Sequence, residues 1–285
     1  MFETLKINDL SYKDIFNVSF EIYRRNMAPI LVLCLLVSIP QLIIMGVVAN
    51  GGGGIYEILE GSPVLKQWFS YILSMDMESA ALMAESGILP MAGLTKIAYL
   101  LIAIFAVDYI VFNPLFAGGL TGLALATING GKGAIGDMIN GSLGNIFKTS
   151  VTAFLVLLFQ TAGITLVFPF IYFYVILAFS IPAIVVTGKW GFGAMKASMF
   201  TTIGRWLKTL GLLILAMLFN STCTYFLNLF ENIIFQVIPY YDFFSYISAI
   251  VSNIVLMYFI LTQCVWFINK HYLVENLRRS SNNGL

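Results

Sequence analysis

The chain has little of three things that soluble domains and most enzymes use: charge, histidine and paired cysteines. Only 10% of its 285 residues are charged, whereas soluble domains carry about 25%, so an ordinary water-soluble fold is excluded. The single histidine, His271, excludes intramembrane enzymes that need several, such as zinc proteases. The three cysteines stand in apolar segments without the spacing of a metal or disulfide site. We therefore expect no catalytic residue, no cofactor and no metal ion.

What the chain has in excess is apolar sequence. Hydrophobic residues make up 59% of it, and its mean hydropathy is +0.90. A helical span needs about 20 apolar residues to cross about 30 Å of hydrocarbon. The sequence predicts an all-α, polytopic membrane protein, a single domain over residues 1 to 285 with six transmembrane helices. The six runs are 28 to 49, 94 to 128, 149 to 168, 170 to 187, 209 to 230 and 243 to 269.

The basic residues decide whether the long second run crosses the membrane once or twice. As one helix its 35 residues would measure about 52 Å, too long for a straight crossing. With one crossing, all but Lys66 and Lys96 of the 15 basic residues lie on the same side. With two crossings, Lys189 and Arg205 would move outside. Because basic residues favour the cytoplasmic side, we predict six spans in a bacterial inner membrane, with both termini in the cytoplasm.

Four segments outside the spans complete the predicted organisation. Residues 1 to 27 contain an amphipathic helix, opened by a capping box at Ser11, on the cytoplasmic surface. Residues 50 to 93 form an external loop in which four glycines precede helices resting on the outer leaflet; a lid or partner surface is the alternative. Residues 188 to 208 form a cytoplasmic interfacial helix, and residues 270 to 285 a cytoplasmic tail.

The second span carries an acid that an apolar helix does not need. Asp108 lies near its centre, where a charge costs about 2.5 to 3.5 kcal/mol, so we expect it to face the bundle, paired or protonated. With Asn113 it forms the candidate intramembrane polar site. Two interpretations of Asp108 stay open: a proton or ligand site, or a neutral acid that ties helices together. The expected partners are Asn113, Gln160, Asn220, Asn228, Tyr172 and Tyr225.

The same span carries a predicted kink and a predicted packing surface. Pro114 cannot bond to the carbonyl of Ile110, so the helix should bend there. Beyond it, Gly118, Gly122 and Ala126 recur every four residues. A stripe of small residues lets another helix approach closely. We therefore predict helix packing at these three positions, which says nothing about a substrate.

The segments after the second and fourth spans resemble each other. Gly131, Lys132, Gly136 and Met138 match Gly188, Lys189, Gly193 and Met195, each pair 57 positions apart. Both segments follow one span and precede the next, so a parallel repeat of span, surface helix and span is one interpretation. The glycines of the first segment also fit GxGxxG, but no strand precedes them, so a flexible turn is favoured over a nucleotide site.

Two segments carry a resemblance to a known family: "NPLFAGGLTGLALATINGGKGAIGDMINGSLGNIF" and "IPAIVVTGKWGFGAMKASMFTTIGRWLKTLGLLIL". They resemble the recurring segments of bacterial six-span membrane domains found in some glycerophosphoryl diester phosphodiesterases and in related membrane proteins. The shared features are Pro-Leu with Gly-Gly, the glycine loop, and the Pro-Ala-Ile-Val strip before an Ala-x-x-x-Ser helix. The resemblance implies a helical membrane domain and carries over no catalytic residue.

These features favour a non-enzymatic, multi-pass membrane protein that assists transport or handling of a lipid-like or amphiphilic molecule. The alternative is a permease-like or immunity subunit that works only in complex with partner proteins such as an ATPase. The expected partners are membrane lipids and either a further protein or a second copy of the chain. We expect no nucleic acid as a partner.

Overall fold

Fifteen α-helices and no strand make up the part of the chain that the structure, a computed structural model, describes. That part comprises residues 2–50, 54–73, 76–163, 167–235 and 241–283. The helices are α1 Phe2–Ile7, α2 Tyr12–Arg25, α3 Met27–Asn50, α4 Ile55–Glu60, α5 Pro63–Leu73, α6 Met77–Glu85, α7 Met91–Val107, α8 Asn113–Ile128, α9 Ile135–Ser142, α10 Ile146–Gly163, α11 Val167–Leu177, α12 Ser180–Thr187, α13 Phe192–Thr202, α14 Trp206–Phe235 and α15 Tyr241–Asn283.

Among the described residues, six runs of helix are long and apolar enough to cross a membrane, which confirms the predicted all-α membrane fold. These are Met27–Val48, Met91–Ile128, Ile135–Gly163, Pro169–Thr187, Trp206–Phe230 and Ile247–Leu277, called spans 1 to 6 below. Span 3 begins earlier than predicted because α9 and a 3-10 turn, Leu143–Asn145, lead directly into α10. In the predicted tail, residues 270 to 283 continue α15 as helix, and the last two residues lie outside the described part.

The chain, predicted as a single domain, divides into two compact units. Unit 1 comprises Met1–Ser38 with Tyr109–Leu285, and unit 2 comprises Ile39–Asp108. Unit 2 contains the segment 50 to 93, which the sequence predicted as an external loop with helices. Of the four glycines expected to form its hinge, Gly51–Gly53 lie outside the described residues.

Within unit 2, close packing joins the short helices to α7. A Cβ atom on Gly93 would lie only 2.6 Å from Cδ1 of the buried Leu65, so the Leu65 side chain of α5 packs directly on α7 at this glycine. The indole Nε1 of Trp68 donates a hydrogen bond of 3.0 Å to the carbonyl of Ala80, which ties α5 to α6. The segment is therefore a layer of helices with its own contacts.

The amphipathic helix predicted near the N-terminus is α2, and it packs on the last helix. Ser11 opens it with the predicted capping box. At one end of the contact Tyr12 stacks on Trp266, with ring centroids 5.6 Å apart. At the other end the Tyr23 hydroxyl donates to the carbonyl of Ile254 at 2.9 Å. α2 therefore lies along α15 and gains part of its stability from protein contacts.

Two buried polar side chains of α15 hold the segment before α2. Asn269 donates from Nδ2 to the carbonyls of Leu5 and Asn8, at 2.7 and 2.8 Å. The ammonium group of Lys270, only 1% exposed, pairs with the carboxylate of Asp9. A buried lysine needs such a counter-ion. The N-terminal segment and the end of span 6 are thus joined by residues 261 positions apart in the chain.

α9 packs on the stripe of small residues in α8. A Cβ atom on Gly118 would overlap the carbonyl oxygen of Gly141, and one on Gly122 would overlap that of Asp137. Backbone atoms of the two helices are therefore in direct contact, which glycine permits. Ala126, the third residue of the stripe, borders a shallow depression that Asp137 also lines.

The interfacial helix predicted over residues 188 to 208 is shorter in the structure. α13 covers only Phe192–Thr202. Gly204 follows with a φ of +80°, a conformation that glycine adopts without strain, and α14 begins at Trp206. The apolar periodicity continues through this turn, so the pattern alone gave no sign of the break.

Replacing Asp9 by Asn should destabilise the protein by about 2 kcal/mol, because the Lys270 charge loses its buried counter-ion. The measurement is thermal unfolding in detergent. Lys208→Gln is the matched control, since Lys208 is 64% exposed and lies 3.8 Å from the same carboxylate. An exposed pair contributes less than about 1 kcal/mol. Equal effects of the two variants would contradict this role for Lys270.

The Asp9 contribution should also depend on pH. Burial opposes ionisation of Asp9, but the hydrogen bond and charge of Lys270 hold its pKa below the ordinary value of 3.8. A lowered folded-state pKa adds stability that is present above pH 3.8 and is lost as pH falls through the folded-state value. The difference in free energy of unfolding between the wild type and Asp9→Asn should therefore shrink below about pH 4. A difference that persists there would count against the ion pair.

Gly118→Ala should destabilise unit 1 by about 1 to 3 kcal/mol, because the added methyl group forces α8 and α9 apart. Gly136→Ala is the control on the same helix pair, since a Cβ atom there meets no atom within 4 Å. That change should leave stability equal or raise it by up to about 1 kcal/mol. Thermal unfolding of both variants measures the difference, and equal melting temperatures would refute the backbone contact.

Candidate functional site

The first element of the candidate site is a change of helix type in span 2. A π-helical turn, Asp108–Phe112, joins α7 to α8. Such turns insert one residue into an α-helix and occur frequently at functional sites. Pro114 follows in the first turn of α8, where its missing N–H leaves no hydrogen bond unmade. The structure therefore places a widened turn directly before the proline for which the sequence predicted a kink.

The second element is an interruption of span 4. α11 ends at Leu177 and α12 begins at Ser180, before Pro182, which lacks the N–H that would continue the helix. Ser198 of α13 bridges the gap. Its hydroxyl donates to the carbonyl of Ile176 at 2.7 Å and accepts from the N–H of Phe179 at 3.2 Å. The backbone groups that the interruption would free are thus partly satisfied by a neighbouring helix.

The two irregular turns line one cavity of about 290 Å³ within unit 1. Tyr109 and Asn113 border it from span 2, and Ala178 and Ser180 from span 4. Spans 3, 5 and 6 also contribute to the wall, which is mostly apolar. All lining residues belong to the membrane-crossing runs. The cavity therefore lies among the spans, at the place where two of them depart from regular α-helix.

The polar groups of the cavity are uncharged. The Tyr109 hydroxyl donates to Oε1 of Gln160 at 2.7 Å, which joins span 2 to span 3. Asn113 and Gln263, which carry amide groups, also line the cavity. The thiol of Cys264 accepts a hydrogen bond of 3.2 Å from the Thr121 hydroxyl, so it belongs to the packing of spans 2 and 6. Amide and hydroxyl groups in an apolar wall can orient a neutral polar group of a ligand.

Asp108 has a partner that the sequence analysis missed. Nε2 of Gln41 donates to Oδ1 of Asp108 at 2.6 Å, within unit 2. Gln41 follows Pro40 inside span 1, where most side chains are apolar. An amide in such a run is the sequence feature that could have indicated a polar partner on another span. This contact joins spans 1 and 2, as the helix-tying interpretation of Asp108 requires. Asp108 is not among the residues that line the cavity.

The predicted site residues thus fall in three places. Asp108 pairs with span 1, Asn113 and Pro114 line the cavity, and the glycine stripe supports α9. Gln160, expected as a partner of Asp108, bonds to Tyr109 instead. Sequence reasoning did not identify Tyr109 or Gln263, because one polar residue in a long apolar run gives no indication of which helix it faces.

The described residues contain no group of three or more His, Cys, Asp or Glu side chains close enough to hold a metal ion. The cavity wall itself contains no acidic or basic side chain. The described lining residues offer amide and hydroxyl groups for hydrogen bonds and apolar side chains for van der Waals contact. Comparisons of the chain with family models, curated proteins and solved structures found no match.

Proposed function

We propose that the chain is a non-enzymatic membrane protein that binds and handles a lipid-like or amphiphilic molecule, with the cavity between spans 2 and 4 as its binding site. The observation that carries this proposal is that both interrupted spans border the same cavity. Interrupted helices within membrane spans are tolerated where they line a cavity or are buried in protein, and transporters build binding sites from them.

The wall of the cavity favours an apolar ligand with a neutral polar group. A charged group would meet no counter-ion there and would lose its hydration, which is costly in an apolar environment. An apolar chain meets the side chains of Val156, Leu213 and Ile260, while the amides of Asn113 and Gln160 supply hydrogen bonds. A volume of about 290 Å³ is at the lower end for ligand pockets, so the cavity suits part of an amphiphile rather than a whole lipid.

Binding without catalysis is supported by the position of the only histidine. His271 lies outside the cavity wall, beside Glu275 on α15. Nothing in the wall pairs a nucleophile with a general base, which covalent catalysis would need. The Cys264 thiol is buried in the helix contact with Thr121.

The alternative function is that of a subunit in a complex with partner proteins, such as an ATPase. The exposed apolar side chains of α13 favour a surface that contacts either lipid or protein. Phe192 is 65% exposed and Phe200 is 48% exposed. Copurification of a stoichiometric ATPase from mild detergent would support this alternative over a protein that acts alone.

The proposed family and location follow from the sequence. We propose a relationship to the six-span membrane domains of glycerophosphoryl diester phosphodiesterases, and a place in the bacterial inner membrane with both termini in the cytoplasm. α9, at the start of span 3, and α13, after span 4, would then lie on the cytoplasmic side, where the basic residues of the chain are concentrated.

Reporter fusions test this orientation. Fusions after residue 140, in α9, and after residue 197, in α13, should both be active as cytoplasmic reporters. A fusion within the segment 54 to 73 should report the opposite side, because one span separates it from the N-terminus. A periplasmic signal at residue 140 or 197 would overturn the proposed orientation.

Filling the cavity tests the proposed function. Ala117 lines the cavity, so Ala117→Trp should exclude a ligand. The probe is a diazirine-labelled fatty alcohol, whose polar group is neutral, cross-linked to purified protein and mapped by peptide mass spectrometry. In the wild type, we expect labels on wall residues such as Tyr109 and Tyr174. The variant should lose about tenfold or more of this labelling, since losing about 1.4 kcal/mol of binding energy already gives that factor.

Ala103→Trp is the matched control, because Ala103 is exposed on the same span and does not line the cavity. Its labelling at Tyr109 and Tyr174 should equal that of the wild type. Unfolding temperatures of both variants show whether the tryptophan is tolerated. Labelling that is absent from the wild-type wall, or that persists in a folded Ala117→Trp protein, would refute the cavity as the binding site.

A further inference from the structure

A second cavity, of about 570 Å³, lies between α12, α13 and α15 and differs from the first in its charge. Two lysines line it: Lys189, in the turn before α13, and Lys196, on α13 itself. The hydroxyl residues Thr187 and Thr201 lie beside them, and His271 borders it from α15. None of its residues lines the cavity between spans 2 and 4. We call it the basic cleft.

The charge of the basic cleft is positive. The one acid in its wall, Glu275, is shared: its oxygens lie 3.5 Å from Nε2 of His271 and 3.7 Å from the Arg279 guanidinium. Lys189 and Lys196 have no carboxylate partner among the described residues. Lys196 instead lies over the Phe200 ring, 5.7 Å from its centroid. The wall of the cleft therefore carries more positive than negative charge, which favours an anion over a cation as its ligand.

The surroundings of the cleft point to a membrane surface. The cleft forms where span 4 ends, at the helices that follow it. Trp190 and Phe192 stand exposed next to Lys189, and Phe200 is both exposed and part of the cleft wall. Exposed aromatic side chains are typical of the membrane–water boundary, and basic pockets between membrane helices bind anionic lipid headgroups.

Packing restricts the position of one of the two lysines. A Cβ atom on Gly193 would lie 3.3 Å from Cβ of Lys189, so the lysine stem rests on the backbone of the first turn of α13. This contact positions Lys189 at the cleft. The distance leaves little room for a larger residue at position 193 unless the lysine moves.

We propose that the basic cleft binds the phosphate of an anionic lipid headgroup through the ammonium groups of Lys189 and Lys196. The lipid chains would extend along the exposed apolar surface of α13. The site is independent of the cavity between spans 2 and 4, and the proposal does not require that cavity to bind a ligand.

The test uses the full-length protein in detergent, titrated with phosphatidylglycerol or with phosphatidylcholine as the zwitterionic comparison. Native mass spectrometry counts the lipids that stay bound. Wild-type protein should retain phosphatidylglycerol in preference. Lys189→Gln and Lys196→Gln should each weaken that binding about fivefold, since a basic residue near a membrane surface contributes about 1 kcal/mol to anionic-lipid binding.

Two further variants distinguish binding at the basic cleft from a general effect of the protein's charge on lipid binding. Lys132→Gln is the matched control: Lys132 occupies the corresponding position before α9, is exposed, and does not line the cleft. It should bind phosphatidylglycerol like the wild type. Glu275→Gln removes the one acid of the wall and should strengthen binding about fivefold by the same estimate. A change in fold alone would not produce tighter binding.

Glycerol 3-phosphate and inorganic phosphate form the last arm of the test. If the site recognises a lipid, neither should displace phosphatidylglycerol at millimolar concentration. If either compound displaces phosphatidylglycerol from the wild type, and Lys189→Gln or Lys196→Gln abolishes that effect, the ligand is a soluble phosphate compound and the lipid assignment is wrong. Equal phosphatidylglycerol binding by the wild type and all four variants would overturn the site itself.

Discussion

The structure depends on one constraint of the bilayer: a backbone carbonyl or N–H inside a span needs a hydrogen-bond partner supplied by the protein. Span 4 breaks this pattern before Pro182, and the partner comes from Ser198 of α13, which contacts the carbonyl of Ile176 and the N–H of Phe179. A short helix outside the span thus makes an irregular turn possible within it. That turn and the π-helical turn of span 2 both border the cavity, so the cavity depends on the stability of both turns.

Close approach of backbones is the second condition for this arrangement. α8 carries the wall residues Asn113 and Ala117 in its first turns and the glycines that receive α9 in its next ones. α9 therefore fixes the same helix that borders the cavity.

α9 and α13 follow N-caps at Ala134 and Gly191. These two residues are 57 positions apart, which is the offset at which the two segments match in sequence. Each of these short helices, α9 at the start of span 3 and α13 after span 4, contacts one irregular span.

The sequence predicted the spans because apolar length alone is sufficient to identify them, and it predicted an irregularity near Pro114 because proline acts locally. It did not identify which polar residues meet. Gln41 with Asp108 and Tyr109 with Gln160 are contacts between spans, and apolar periodicity does not specify how one helix is rotated against another. The helix predicted over residues 188 to 208 was too long, because the apolar pattern continues through the turn at Gly204, whereas α13 ends at Thr202.

α13 is the element that connects the two proposed binding sites. Lys196 lines the basic cleft, and Ser198, two residues later, holds the interrupted turn of span 4. The side chain of Met195, one residue before Lys196, is buried in a cluster with Val156 and Leu177, which line the cavity. A shift of α13 would therefore change both the position of the lysine and the hydrogen bonds at the cavity wall. Suppose that the ligand of the basic cleft binds better to one position of α13, and that the ligand of the cavity also binds the two positions differently. Thermodynamic linkage then requires that each ligand changes the affinity of the protein for the other.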